Sequence, residues 1–154
     1  MAVHKLKDEV LIKASLEDVW NFFSNPKNLQ RITPQSMGFK HVYEPEAEKV
    51  YPGMLLVYKV SPLLGIPLTW VTEITAVETQ RRFVDNQRIG PFGMWHHIHE
   101  FEATSEGTLA RDILYYKMPF GFLGELVHGL TVEKQTREMF EYRKQALKKI
   151  FKAQ

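Results

Sequence analysis

The sequence predicts an α+β domain in which a curved antiparallel sheet wraps around one long C-terminal helix. Between residues 39 and 118 the chain reads as short strands separated by glycine-containing turns, with no helix between them. Strands that follow one another in this way form an antiparallel meander. From residue 131 onward the apolar residues recur every three or four positions, which predicts an amphipathic helix of about twenty residues or more.

The first elements are indicated by local signals. Apolar residues alternate along residues 4–14, which predicts a strand whose apolar face only Asp8 interrupts. Ser15 is a favourable N-cap for a helix over SLEDVWNFF, which carries acidic residues in its first turn and an apolar stripe. A second short helix is expected over residues 27–32. Two short helices should therefore follow the first strand.

Six further strands and two helices complete the predicted order. A short helix is expected over residues 122–128, and Gly129 should separate it from the long helix. The predicted strands cover residues 39–46, 53–61, 67–78, 81–89, 93–103 and 108–118. The inner stripe of the long helix should carry Val132, Thr136, Met139, Phe140, Arg143, Leu147 and Ile150.

The composition limits which classes of protein and of functional site are possible. A chain of 154 residues fits a single domain over residues 1–154. The absence of cysteine excludes disulfides, thiolate metal sites and thiol nucleophiles. No apolar run suits a membrane span or a secretory signal, so a cytoplasmic location is expected. The net charge is +2, and the sequence has no stretch of basic residues interleaved with aromatic ones. We therefore expect no nucleic-acid partner.

Three motifs carry a resemblance to a known superfamily. GPFGMWHHIHEF contains a Trp-x-His-x-His-x-Phe strand at residues 95–101, and GTLARDILYYKMP places Asp112 and Tyr116 before Pro119. The last helix contains Phe-x-Tyr-Arg at residues 140–143. With the element order, these motifs resemble the SRPBCC superfamily, in particular a small bacterial group of ligand-binding or polyketide cyclase/dehydrase-like proteins. The resemblance implies the helix-grip, or START-like, fold, but it does not imply one function, because a fold hosts many.

The three histidines can be placed by strand parity alone, because side chains alternate across a strand. Glu100 and Glu102 share a face with His96, so that face should meet water and His96 should be a surface residue. His97 and His99 should then point inward. If residues 104–107 form the hairpin loop, counting back from it places His99 opposite Asp112 on the next strand, within reach of a hydrogen bond.

The same parity predicts an aromatic and aliphatic interior with a few polar groups. A packed core avoids such groups, because an unpaired buried polar group costs roughly 1–3 kcal/mol, whereas a ligand cavity uses them. On the predicted strand 81–89, the residues expected to face inward are Phe83, Asp85, Gln87 and Ile89. The candidate ligand-binding residues are Tyr58, Trp70, Thr72, Gln87, Trp95, His97, His99, Asp112, Tyr116, Met139, Phe140 and Arg143.

The histidines and the carboxylate leave three roles open. Two histidines and Asp112 resemble a metal triad, but residues two apart on one strand are loosely placed for one ion, so we expect no metal and no cofactor. A structural pair in which Asp112 fixes the tautomer of His99 is the favoured role. A histidine–carboxylate pair can also be a general base, although no partner nucleophile is evident.

The sequence thus favours binding of a small hydrophobic molecule, aromatic or lipid-like, between the sheet and the long helix. The alternative is an enzyme of cyclase, dehydratase or aromatase type that uses His97, His99, Asp112 or Tyr116 for proton transfer. SPLLGIPL, residues 61–68, reads as an apolar hairpin loop. Such a loop suggests a lid, a contact with a second copy, a weak membrane contact, or packing onto its own helices.

Overall fold

The computed structural model describes residues 2–61 and 65–152 and has the predicted order of elements. The strands are β1 His4–Ile12, β2 Lys40–Tyr43, β3 Leu55–Val60, β4 Leu68–Glu78, β5 Arg82–Ile89, β6 Met94–Thr104 and β7 Gly107–Lys117. The helices are α1 Leu16–Phe23, α2 Gly121–Val127 and α3 Glu133–Lys152, with 3₁₀ turns at Pro26–Ile32 and Gln35–Met37 and a π-helical turn at His128–Val132.

The seven strands form one antiparallel sheet in the order β1-β7-β6-β5-β4-β3-β2. β2 to β7 follow one another as a meander, and β1 joins the far edge beside β7. This pairing sets Asp8, the residue that interrupts the apolar face of β1, opposite Asp112. Asp8 forms an ion pair with Lys144 of α3, whose Nζ lies 2.6 Å from its Oδ1. Asp8, which interrupts the apolar face of β1, therefore helps to hold α3 against the sheet.

The short helices after β1 form for the reasons the sequence indicates. The side chain of Ser15 accepts a hydrogen bond from the backbone N–H of Asp18 at 3.1 Å and so caps α1. Asn25 caps the next turn in the same way through Lys27 at 3.0 Å. That turn is a 3₁₀ helix over Pro26–Ile32 rather than an α-helix. Proline at its first position suits this cap, because proline has no N–H to satisfy.

The hairpin of β6 and β7 has the predicted register. His99 pairs with Asp112, Phe101 with Ala110 and Trp95 with Tyr116. The strands are joined by a tight two-residue turn at residues 105–106. At the start of β7, Gly107 has φ of +135°, and a Cβ there would lie 2.2 Å from the carbonyl oxygen of Ile12. Only glycine lets β1 pass this close, so the residue helps to join β1 to the sheet.

The long helix has the predicted length and inner face. Its buried residues are Thr136, Phe140, Arg143, Leu147 and Phe151. Gly129 lies in the π-helical turn His128–Val132, which separates α2 from α3 as expected, although the chain stays helical through this turn. None of the described helices combines the length and the apolarity that a bilayer crossing requires.

The strand bounds agree with the predicted ones except at β2, which was expected over residues 39–46. β2 covers Lys40–Tyr43 and contains an irregularity between His41 and Tyr43 in its pairing with β3. Pro45 follows soon after, and proline cannot donate to a ladder. β2 is therefore a short edge strand, which limits pairing with other chains.

Candidate ligand-binding cavity

A cavity of about 900 Å³ lies between the inner face of the sheet and the helices. β3 to β6 supply one wall, and the end of α1 with the two 3₁₀ turns supplies another. The inner stripe of α3 closes a third side through residues such as Met139 and Arg143. The buried apolar residues of the protein fall into two clusters, and members of both line this space. The size falls within the range of cavities that hold drug-sized molecules.

Most residues predicted to bind a ligand line this cavity, but four do not. Gln87, Asp112, Tyr116 and Phe140 are absent from the lining. The residues that line it are Tyr58, Trp70, Thr72, Trp95, His97, His99, Met139 and Arg143.

Gln87 holds the loop that contains Phe92 through two hydrogen bonds to its backbone. Its Nε2 donates to the carbonyl of Phe92 at 2.7 Å, and its Oε1 accepts from the N–H of Phe92 at 3.2 Å. Phe92 and Pro91 line the cavity as a result of this fixed loop. Ile89, which parity placed inside, is 59% exposed, because β5 ends there, beyond an irregularity in its pairing with β4.

Tyr116 and Phe140 form the layer beneath the lining. Tyr116 is buried and packs against the rings of His4, Phe92 and Trp95. Phe140 is buried with its ring centroid 5.8 Å from that of His97. These two residues support side chains that line the cavity and lie too deep to contact its contents.

A cluster of five ionisable side chains forms the polar part of the site. His97 Nε2 donates to Asp112 Oδ1 at 2.8 Å, and Arg143 Nη1 donates to the same oxygen at 3.2 Å. His99 Nε2 donates to Asp85 Oδ2 at 2.7 Å. The side chains come from β5, β6, β7 and α3, so the cluster lies where the sheet and the long helix meet.

The predicted hydrogen bond between His99 and Asp112 is wrong, although their cross-strand pairing is right. Nδ1 of His99 lies 3.0 Å from Oδ1 of Asp112 but is a buried atom without an aligned hydrogen-bond partner. That oxygen already accepts from His97 and Arg143, so His99 turns its Nε2 to Asp85 instead. His96 points away from the cavity as predicted, half-buried, with its Nδ1 2.7 Å from Oδ1 of Asn86.

The two buried histidines differ in charge. Burial and the neighbouring His99 lower the pKa of His97, which stays neutral despite its bond to Asp112. Burial also opposes protonation of His99, but the carboxylates of Asp112 and Asp85 outweigh it and raise the pKa of His99. The geometry agrees, because both ring nitrogens of His99 lie within 3.0 Å of a carboxylate oxygen.

The two carboxylates are held in their ionised form. Burial would raise the pKa of Asp112, but Arg143, the hydrogen bond from His97 and the nearby His99 ring hold it well below its usual value. Burial likewise opposes ionisation of Asp85, and the bond from His99 with the nearby cations lowers its pKa. Two carboxylates therefore lie against the guanidinium of Arg143 and against His99, whose protonated form they favour.

Asp85 is the site residue that sequence reasoning missed. The alternation of side chains along β5 predicts that Asp85 faces inward. The sequence does not give the register between β5 and β6, so it does not predict that Asp85 lies beside the histidines. In the structure Asp85 pairs directly with His97 and lines the cavity. The pairing of β5 with β6 begins only at Asn86 and His96, so no tight turn between the strands fixes this count from the sequence.

Asp85, His97 and His99 are also the one trio of candidate metal ligands found in the described part of the chain, with one ligand atom from each all within 4.8 Å of one another. A divalent ion would have to replace the proton that His99 holds between Asp85 and Asp112. It would also lie close to the Arg143 guanidinium that neutralises Asp112. The donor types suit a transition metal, but the surrounding charges already balance without one.

Tyr58 adds an unusual hydroxyl to the lining. The residue is 3% exposed, and its hydroxyl finds no hydrogen-bond partner among the described residues. Burial, with smaller effects of Asp85 and Glu44, raises the pKa of Tyr58, so the phenol stays protonated. A buried hydroxyl without a partner is costly to a fold, which marks this position as one that serves the cavity.

Exposed apolar side chains surround one end of the cavity. Phe120 is 85% exposed and Leu123 is 59% exposed, and both contribute to the lining. Ile66, in the predicted apolar hairpin loop, is 55% exposed. Pro62, Leu63 and Leu64 of that loop lie outside the described residues, so membrane contact through residues 61–68 stays a prediction.

The architecture matches solved structures along nearly the whole chain. TTHA0849 from Thermus thermophilus superposes with a TM-score of 0.75 at 18% identity, over 97% of this chain and 98% of that one. The ginseng major latex-like protein 151 from Panax ginseng gives 0.71 at 14% identity, over 98% and 99%. Ara h 8.0201 gives 0.61 at 12% identity, over 95% and 98%.

The chain has the helix-grip fold. The fold expected from the resemblance to the SRPBCC superfamily is thereby confirmed. No protein-family profile matches the sequence, and no curated protein matches it at a significant level. At these identities the structural likeness establishes the fold, and the function has to be argued from the cavity itself.

Proposed function

We propose that this protein binds a small, mainly hydrophobic molecule, aromatic or lipid-like, in the cavity between the sheet and α3. The observation that carries the proposal is the cavity of about 900 Å³, which the fold leaves unfilled between two apolar clusters. Filling such a space with side chains would stabilise the protein, because voids cost contacts. A space of this size in a well-packed domain therefore supports a role in holding a ligand.

The chemistry of the lining supports the same proposal. Most of the wall is apolar, and Trp70 and Trp95 contribute large rings that contact each other edge to face with centroids 5.1 Å apart. Aromatic walls give contact area to flat or chain-like apolar molecules. Asp85, His97 and Arg143 bring a group of ionisable side chains together in the lining, and this group would orient one end of the ligand.

Cavity filling tests the proposal. We expect an apolar fluorescent probe to bind with micromolar affinity, about −8 kcal/mol. Thr72 is small, buried and part of the lining, so Thr72→Trp should abolish binding while the circular dichroism of the fold persists. Thr69→Trp is the matched control, because Thr69 lies on the same strand but is exposed. Equal binding by both variants would place the ligand outside the cavity and refute the proposal.

Tryptophan quenching locates the probe independently. Trp70 and Trp95 line the cavity, whereas Trp20 is buried among Phe83 and Phe101 and is not part of the lining. In single-tryptophan variants the probe should quench Trp70 or Trp95 strongly and Trp20 weakly. Quenching of Trp20 alone would contradict a ligand in the cavity.

A second candidate function is an enzyme of cyclase, dehydratase or aromatase type. The observation that favours it is the Asp112–His97 pair, in which Asp112 accepts from Nε2 and leaves Nδ1 of a neutral imidazole as the basic atom in the lining. Such a base would take a proton from an acidic carbon of the substrate, and Asp112 would stabilise the imidazolium formed. Tyr116 lies beneath the lining and His99 is held by two carboxylates, so His97 is the favoured base.

Turnover separates the two candidates. If the protein is an enzyme, a poly-β-carbonyl substrate should be converted by the wild type, and His97→Gln should remove most of the rate while leaving substrate binding. A merely binding protein should hold the same compound unchanged, with exchange of its acidic hydrogens into deuterated water no faster than in buffer. Mass spectrometry measures both the product and the exchange.

A further inference from the structure

The polar cluster leaves some of its atoms unused by the protein. Asp85 Oδ1 and His97 Nδ1 accept no hydrogen bond from the described residues, and both side chains line the cavity. They lie side by side, since Nδ1 of His97 is 3.7 Å from the other oxygen of Asp85. Because both side chains line the cavity, these two acceptors are available to a donor group of whatever fills it.

Hydrogen bonds made by other atoms of Asp85 and His97 fix these two acceptors. Asp85 Oδ2 accepts from His99, and His97 Nε2 donates to Asp112, which Arg143 holds in turn. Neither Asp85 nor His97 can rotate without breaking a buried hydrogen bond. The acceptor pair is therefore preorganised, which lowers the entropy cost of binding a matching group.

The charges of the cluster define what kind of donor fits. His99 lies between Asp85 and Asp112 with both nitrogens within 3.0 Å of a carboxylate oxygen, and Arg143 contacts Asp112. Arg143 already pairs with Asp112, and His99 lies between the two carboxylates, so an added anionic group would find no free cation in the cluster. A carboxylate would also meet Asp85 directly. Burying an unpaired charge in such a site is strongly unfavourable.

We infer that the ligand's polar end is an uncharged hydrogen-bond donor of the alcohol, phenol or enol class, whose hydroxyl donates its one hydrogen bond to Asp85 Oδ1 or to His97 Nδ1. This inference rests on the proposed binding function and specifies the ligand within it. The apolar body of the ligand lies against Trp70 and Trp95, away from the cluster. A donor of this class gives one hydrogen bond at a time and stays neutral, as the cluster requires.

Three phenanthrenes test the inference, each with one substituent at the same ring carbon: a hydroxyl, a methyl or a carboxylate. Displacement of a bound fluorescent probe from the wild-type protein gives the three affinities. We expect the hydroxyl compound to bind at least tenfold more tightly than the methyl compound, and the carboxylate to bind most weakly. Asp85→Asn should reduce the advantage of the hydroxyl compound. Asn86→Ala, on the opposite face of β5, is the control that should leave the order unchanged.

Nuclear magnetic resonance of the wild type avoids any risk that Asp85→Asn fails to fold. The ¹⁵N shift of His97 Nδ1 should move when the hydroxyl compound binds and stay in place when the methyl compound binds. Equal affinity of the three compounds, with binding abolished by Thr72→Trp, would overturn this inference and leave the proposed function intact. Tightest binding of the carboxylate would also overturn it, and binding of none of them would reject the proposed function as well.

Discussion

Asp112 Oδ1 accepts hydrogen bonds from both His97 and Arg143, at 2.8 Å and 3.2 Å. This single oxygen connects β6, β7 and α3 at the polar end of the cavity. The carboxylate fixes the tautomer of His97 and neutralises a guanidinium that is 6% exposed. Asp112 is thus a positioning residue: it lies outside the lining but determines which atoms of the lining remain free.

Removal of Asp112 should destabilise the fold strongly. In Asp112→Ala the buried guanidinium of Arg143 loses its counter-charge, and Nε2 of His97 loses its acceptor. Breaking a buried ion pair from one side costs about 3–5 kcal/mol. We expect a loss of this size in the free energy of unfolding, measured by urea denaturation.

His96→Ala is the matched control for that measurement. His96 lies on the outer face of the same hairpin and bonds only Asn86 through its side chain. Its loss should cost less than about 1 kcal/mol, as is typical away from buried networks. Equal losses in the two variants would show that the buried cluster contributes no more than a surface contact.

Stability should depend on pH through His99. Its pKa is raised in the folded protein, because Asp112 and Asp85 outweigh the effect of burial. The folded state therefore holds the proton more tightly than the unfolded state does. This contribution is complete below the ordinary pKa of 6.5 and is lost as the pH rises through the folded-state value. The free energy of unfolding should decline as the pH is raised above about 6.5.

The window above pH 6.5 isolates this effect from the other ionisable groups that face the cluster. The folded-state pKa of His97 is lowered, so His97 makes stability rise with pH near 6.5 and cannot cause a decline, and Asp85 and Asp112 are ionised. Denaturant melts of His99→Gln should lack the decline, and His96→Gln should retain it. A decline that persists in His99→Gln would assign it to another group.

Much of the fold was predictable, because it rests on local signals. The period of two in the strands, the cap at Ser15 and the helical stripe ending near Phe151 each require only a short window of sequence. The register of His99 with Asp112 was also predictable, since a tight hairpin leaves little freedom in the count. Parity then separated His96 from His97 and His99.

The remainder of the site depends on packing between distant elements. The long connection between Asn86 and His96 hides the position of Asp85, and the depth of Tyr116 depends on how Phe92 packs over it. The choice of His97 over His99 as the partner of Asp112 depends on where α3 places Arg143. These contacts between different elements cannot be found by counting residues along one strand.

Metal content gives a further prediction. We expect no stoichiometric transition metal in the purified protein, although Asp85, His97 and His99 bring one ligand atom each within 4.8 Å of one another. An incoming ion has to displace the proton of His99, which Asp85 and Asp112 stabilise. The positive charge of the ion would also lie close to the positive charge of Arg143, which is unfavourable. Inductively coupled plasma mass spectrometry of the wild type and Asp85→Asn should both give well under one metal per chain. About one zinc or iron per wild-type chain, lost in Asp85→Asn and in His99→Ala, would show that the cluster is a metal centre and that its protonated form exists only in the metal-free protein.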